Sequence, residues 1–207
     1  MEQDTHADYR LWLTSDPSKN FPVPVLQNGI KITNEPPKGL KANLSRTFQD
    51  ISQEAYDVCK KQVEYRRLLF SLAFFHAVIL ERRKFGPIGW NIAYQWMNSD
   101  FTTSQSQLLI NLDEQPDVPF KALNYIVSVV NYGGRVTDDK DVRTMAALLS
   151  RYFRPEALEP GFKFSESGIY SQPDCTKVDQ VQEYISSLPL DDDPEVFGLH
   201  TNADITF

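Results

Sequence analysis

Nothing in these 207 residues matches a phosphate-binding GxxxxGK[ST] loop, a GxSxG elbow or an HExxH helix, so catalysis has few places to reside. Histidine is scarce as well. His6, His76 and His200 stand far apart, with no cysteine or second histidine at ligand spacing from any of them, and no metal site is expected. The two cysteines, Cys59 and Cys175, form no CxxC pair, and free thiols in a reducing compartment are the natural reading. The N-terminus MEQDTHADYR has neither the basic start nor the apolar stretch of a secretory signal. Positive charge is in deficit: 21 Lys and Arg against 28 Asp and Glu give −7 and a pI near 5.0. That balance argues against a general nucleic-acid binder, because phosphate contacts need clustered cations. The local clusters Lys60-Lys61 and Arg82 to Lys84 read as solvated helix faces. Asp191-Asp192-Asp193 lacks the alternating ligands and the glycine of a calcium loop and reads as a solvated turn.

Against these absences stands one apolar run. From Leu68 to Leu80 only Ser71 and His76 interrupt it, with Arg66, Arg67 and Glu81 to Lys84 as charged brackets. A membrane span asks for about 20 apolar residues, so this run is too short. A helix apolar on all sides must be covered by several neighbours, which makes it the centre of a bundle. Gly86-Pro87 stops it, and His76 is expected to pack inside, hydrogen-bonded to a neighbour.

Periodicity supplies the wrapping. Tyr9–Thr14 and Ile30–Thr33 alternate like short strands, with the proline-bearing stretch 21–26 extended between them. They resemble the remnant of a sheet whose other strands lie upstream in a longer protein. Helices are expected at 40–51, then as one long element over 53–84 capped by Ser52. Others follow: a short helix or turn at 92–97, then helices at 103–113 capped by Asp100 or Thr102, from Pro119 to Val130, at 140–152 capped by Asp138 or Asp139, and at 177–188. Phe162, Phe164 and Tyr170 anchor a loop holding Gly161 and Gly168, and residues 190–207 form an extended tail. The fold class is mainly α: a multi-helix bundle with two or three short N-terminal strands. Residues 1–52 are read as the end of a truncated α/β subdomain and 53–207 as a helical subdomain with its tail.

The sharpest local feature is Tyr132-Gly133-Gly134-Arg135-Val136-Thr137-Asp138-Asp139. Two glycines permit a tight turn, in the manner of a glycine C-cap, and Arg135 offers a planar fork to a carboxylate or phosphate. The bland reading is a helix corner, with Arg135 tied to local carbonyls or to Asp138. A positive φ at Gly134 would make Gly134→Val cost roughly 1 kcal/mol or more. The start of the helix after Lys38-Gly39 could likewise face an anion, although an inter-domain contact fits it better.

Several strings taken together resemble one family. LWLTSDPSKNFPVPVLQNGIKITNEPPKGLKANL, KFGPIGWN and NYGGRVTDDKDVRTM are similar to the dynein heavy chain near the end of its motor ring. The tail FGLHTNADITF resembles the stretch where the helical lid of the sixth AAA+ module gives way to the C-terminal domain, and NYGGRVTDD with FKFSESGIYSQP resembles the axonemal type. The resemblance implies a non-catalytic ring segment without a cofactor. It would pass on movements driven by ATP hydrolysis elsewhere, pack against neighbouring AAA+ modules and the C-terminal domain, and meet microtubules and other dynein subunits only through the whole protein. A ciliary or flagellar axoneme is the implied location. Gly133, Gly134, Arg135, Asp138 and Asp139 then form an interface or corner motif. Two alternatives stay open: a nucleotide-sensing lid using Arg135, and a free-standing helical interaction module.

Overall fold

A computed structural model describes residues 6–15, 18–32, 36–200 and 202–203. Its α-helices are α1 (Val23–Asn28), α2 (Leu40–Gln49), α3 (Gln53–Asp57), α4 (Gln62–Glu81), α5 (Asn98–Glu114), α6 (Phe120–Tyr125), α7 (Asp139–Tyr152) and α8 (Val178–Ser187). The chain divides into two units, Met1–Pro36 and Pro37–Phe207.

In the first unit the strand expectations fail. Residues 9–14 and 30–32 carry no strand, and Thr33 lies outside the described residues. A strand exists only in a ladder with a partner, and two short segments cannot supply a stable one. The stretch expected to be extended is α1 instead. Its two prolines sit where a helix tolerates them, Pro22 at the N-cap and Pro24 in the first turn, and the Val25 and Leu26 amides donate to Pro22 O. No residue of α1 is buried, and Leu11, Trp12, Leu13, Ile30 and Ile32 are exposed.

In the second unit the apolar run does what its composition requires. Every residue of α4 from Leu68 to Ile79 is buried, beneath α2, α5, α7 and two 3-10 turns, Pro155–Leu158 and Pro194–Phe197. Aromatic rings fill the contacts: Phe74 stacks on Phe164 at 4.5 Å and meets Tyr152 edge-on at 5.3 Å, while Phe75 meets Tyr132 edge-on at 5.3 Å. The 161–170 loop is anchored as expected by Phe162, Phe164 and Tyr170, with positive φ at Gly161 and Gly168 and an isolated antiparallel bridge from Lys163 to Ser171. No helix among the described residues is long and apolar enough to cross a membrane.

The long element expected over 53–84 is broken twice. Ser52 does cap it, accepting from the Ala55 amide at 3.2 Å, but α3 ends at Asp57. Asp113, at the end of α5, takes the Lys60 amide at 2.9 Å and the Cys59 thiol at 3.3 Å, and Lys61 Nζ donates to the Leu112 and Gln115 carbonyls that α5 leaves open. A tertiary contact thus consumes the amide that helical continuity would need. Beyond Glu81 the chain tightens into a 3-10 turn, Arg82–Ile88, with Gly86 at φ +52.

The basic clusters are therefore not simply solvated. Arg82 is buried: Nε and Nη2 donate to Gly89 O, Nη1 donates to Phe197 O, and burial holds its pKa down at about 10. Residues 93–97 are not helical, because Trp90, Tyr94 and Trp96 pile on one another, with Trp90 and Trp96 4.9 Å apart. In the tail, the expected extension gives way to the turn Pro194–Phe197, capped by Asp193; residues 201 and 204–207 lie outside the described set. Asp192 is no solvated turn residue. Its carboxylate accepts from the Leu40 amide at 2.8 Å and from the Tyr170 hydroxyl at 2.7 Å, so the anion facing α2 comes from this chain itself.

Candidate functional site

The corner singled out in the sequence lies between α6 and α7. Helix α6 widens at its end into a π turn, Ile126–Asn131, and a 3-10 turn, Gly133–Arg135, follows at once. π turns are rare and often mark functional sites.

The two glycines play different parts, and neither has a positive φ, contrary to the C-cap reading. A Cβ on Gly133 would stand 2.3 Å from the carbonyl oxygen of Ser128, inside any permissible contact; Gly134 faces open space. Gly133 is thus required by close approach of the backbone, and the premise for strain at Gly134 is removed.

Arg135 is tied neither to local carbonyls nor to Asp138. Its Nε and Nη2 form a fork onto Asp100, with contacts of 3.1–3.3 Å to both carboxylate oxygens. Asp100 is 8% exposed and also accepts the Met97 amide at 2.9 Å, which starts α5 at Asn98 instead of at the expected 103. One carboxylate thus caps a helix and holds the corner arginine.

Asp138 is the N-cap of α7. It accepts the amides of Lys140 at 2.9 Å and Asp141 at 3.1 Å and the side chain of Asn91 at 3.0 Å, bonds that hold its carboxyl below the usual range. Asp139 is exposed in the first turn, where its charge suits the helix dipole.

Tyr132, which opens the motif, and three residues that the sequence reading did not single out, Tyr94, Trp96 and Asp141, complete the corner. Tyr132 is fully buried, and its carbonyl accepts the Trp96 indole N–H at 3.3 Å. Tyr94 presents its hydroxyl to the Asp138 amide at 3.1 Å. Buried Asp141 takes the amides of Asn91 and Ile92 at 3.2 and 3.3 Å. The Tyr132 hydroxyl also lies 3.0 Å from Nδ1 of His76. Burial keeps Tyr132 protonated, and the two groups share one hydrogen bond whose donor is set by the histidine tautomer. His76 is packed and bonded as expected, and burial pushes its pKa down to about 4.

The corner can anchor helices; its polar groups are engaged with one another. Among the described residues no three His, Cys, Asp or Glu side chains gather into a group able to hold a metal ion. A shallow depression of about 560 Å³ lies elsewhere, between α3 and the start of α8. There Gln53 is spent on Asp57 at 2.7 Å and on the Val178 amide at 2.9 Å.

With this geometry in place, comparison with known proteins bears on the whole chain. Residues 65–203 match the model of the dynein heavy chain AAA lid domain, and residues 1–33 match that of the dynein heavy chain region D6 P-loop domain. The chain is 50% identical over 203 residues to dynein axonemal heavy chain 1 of Rattus norvegicus, covering 98% of the chain and 4% of that protein. It is 48% identical over 207 residues to dynein axonemal heavy chain 3 of Homo sapiens (99% and 5%). To the dynein-1-beta heavy chain, flagellar inner arm I1 complex, of Chlamydomonas reinhardtii it is 45% identical over 203 residues (98% and 4%). The chain therefore spans about one twentieth of these relatives, and with a lid model over most of its length it belongs to the dynein heavy chain family.

Proposed function

We propose that this segment is a non-catalytic part of a dynein motor ring, a stiff lid that carries movements generated by ATP hydrolysis in other modules of the same heavy chain. The observation that carries the reading is the Arg135–Asp100 fork, which occupies the side chain that a phosphate sensor would keep free. A bundle centred on α4, buried without a break from Leu68 to Ile79, suits the role, because displacement is passed on by bodies that do not deform. The sequence assigns residues 1–52 to the end of a truncated α/β subdomain, the AAA+ large subdomain, and 53–207 to the helical lid with its tail. Since α2 packs on α4 and α8, we place that boundary ahead of α2, between Pro36 and Pro37. The partners are neighbouring AAA+ modules and the C-terminal domain of the same polypeptide, in a ciliary or flagellar axoneme, with Gly133, Gly134, Arg135, Asp138 and Asp139 as the corner that sets the angle between α5 and α7.

The test is nucleotide titration of a longer heavy-chain segment that includes the upstream P-loop domain. Arg135→Ala should leave the affinity for ATP at this module unchanged while lowering the unfolding free energy by about 1–2 kcal/mol, since Asp100 loses its counter-ion in a buried place. A tenfold or greater loss of ATP affinity in that variant would transfer the assignment to a nucleotide-sensing lid.

A further inference from the structure

Helix α6 and the π turn that prolongs it are built inside out. Their polar side chains are engaged within the bundle: Asn124 donates to the carbonyls of Phe120 at 2.9 Å and Phe153 at 2.7 Å, and Ser128, which is buried, donates to Asn124 O. Asn131 donates to Ser104 Oγ at 2.9 Å and to Gln107 Oε1 at 2.6 Å on α5. The apolar side chains form a stripe on the other side. Ala122, Tyr125 and Val130 are exposed, Ile126 and Val129 half-buried, and their spacing of i, i+3, i+4, i+7 and i+8 is that of a helix face made to be covered. The exposed positions of α8 are Asp179, Gln180, Glu183, Ser186 and Ser187, all polar, as solvent requires.

The π turn is the cause. An unbroken α-helix from Pro119 would carry Leu123, Ile126, Val127 and Val130 on one buried face. The turn takes up about one extra residue, which rotates everything beyond it by about 100°. Leu123 and Val127 stay inside, Ser128 and Tyr132 take the next inward places, and Val130 is left 53% exposed. Gly133 fixes this outcome, because only a residue without a Cβ admits the Ser128 carbonyl so close. Within the bundle the exchange of a buried valine for a buried serine is unfavourable, so the reason for it lies outside.

We propose that this stripe, widened by exposed Ile110 of α5 one turn beyond Gln107, is the docking face for another module of the same heavy chain, distinct from the P-loop domain that leads into α2. The chain spans about one twentieth of its relatives, so the rest of the polypeptide is a partner held at high effective concentration. Position selects the module. Helix α6 packs on α7 and its π turn on α5 and α7, whereas α2, where the chain from the preceding domain arrives, packs on α4 and α8. Chemistry selects the surface: no charge stands between Lys121 and Arg135, so the partner is apolar and uncharged opposite the stripe, with an acceptor for the Tyr125 hydroxyl. The assignment rests on the ring-segment reading above, which supplies the further modules.

Thiol labelling with a maleimide, read peptide by peptide by mass spectrometry, tests it. Val130→Cys and Tyr125→Cys replace exposed side chains and should react as open thiols in the 207-residue chain. In the full heavy chain both should slow by about tenfold or more, since the core of an interface excludes water and reagent. Equal rates in the two proteins would overturn the docking face. Protection already complete in a segment that adds only the preceding P-loop domain would overturn the choice of module. Slow labelling of the 207-residue chain, with a dimer in sedimentation, would give the face to a second copy and overturn the proposal as well. Nucleotide plays no part in the labelling, so its outcome and that of the Arg135→Ala titration with ATP can fail separately.

Discussion

Gly133 and Gly134 are adjacent and chemically identical, yet they should respond oppositely to the same change. Gly133→Ala forces a methyl against the Ser128 carbonyl, which belongs to the π turn and cannot yield without breaking it, so a loss of more than about 1 kcal/mol is expected in denaturant titration. Gly134→Ala meets nothing and, with φ negative, should be neutral or stabilising by up to about 1 kcal/mol through the unfolded chain. His76 makes a prediction in pH. Its folded pKa of about 4 lies below the ordinary 6.5, because burial and Arg83 outweigh the attraction of Asp100. The unfolded chain therefore takes up a proton that the folded chain refuses, and the contribution, complete above about pH 6.5, is lost as pH falls towards 4. Its ceiling is roughly 3 kcal/mol. Glu81, whose carboxyl burial pushes up, works in the opposite sense, so the difference between the parent and His76→Gln isolates the histidine. Equal pH slopes in the two proteins between 4 and 6.5 would remove the assignment.

Helix α4 was legible because its signal is one of composition. A run without a polar face has to be covered from every side, whatever does the covering. The breaks that bound it were not legible, and Asp113 shows why. The amide it withdraws from the helix is Lys60, about fifty positions earlier in the chain, so no window of sequence holds both partners. Asp100 is a similar case. Read locally it is a cap, and only the fold reveals that the same carboxylate also receives Arg135. Of the candidate corner, Tyr132, the glycines, the cap and the arginine could be named from sequence, whereas the aromatic support from Tyr94 and Trp96 could not, since those rings carry no motif. At this scale the test is Phe74→Ala. Its ring is buried against Phe164, Tyr152 and Tyr170, and urea titration should find about 3–5 kcal/mol lost, well above what a surface position gives.

Across the whole molecule, the apolar residues divide sharply by position. Among the described residues every one of the core lies at Leu40 or beyond, in one connected cluster that reaches Ala203. The first unit has large apolar side chains of its own, but Trp12 is 79% exposed and Ile30 96%, so they stabilise nothing where they stand. Burial of apolar area is the main favourable contribution to folding, and on that ground the two units should differ in kind. A chain beginning at Pro37 should unfold in one cooperative transition, with a midpoint and denaturant slope equal within error to those of the 207-residue chain, since the slope follows the surface exposed on unfolding and the core is unchanged. A peptide of residues 1–36 should show neither a cooperative transition nor the far-ultraviolet dichroism of a sheet, because a six-residue helix without a buried face cannot sustain itself. Should the shortened chain melt early or with a shallower slope, the bundle would have been drawing stability from residues whose side chains stand open to solvent, and the boundary ahead of α2 would have to move.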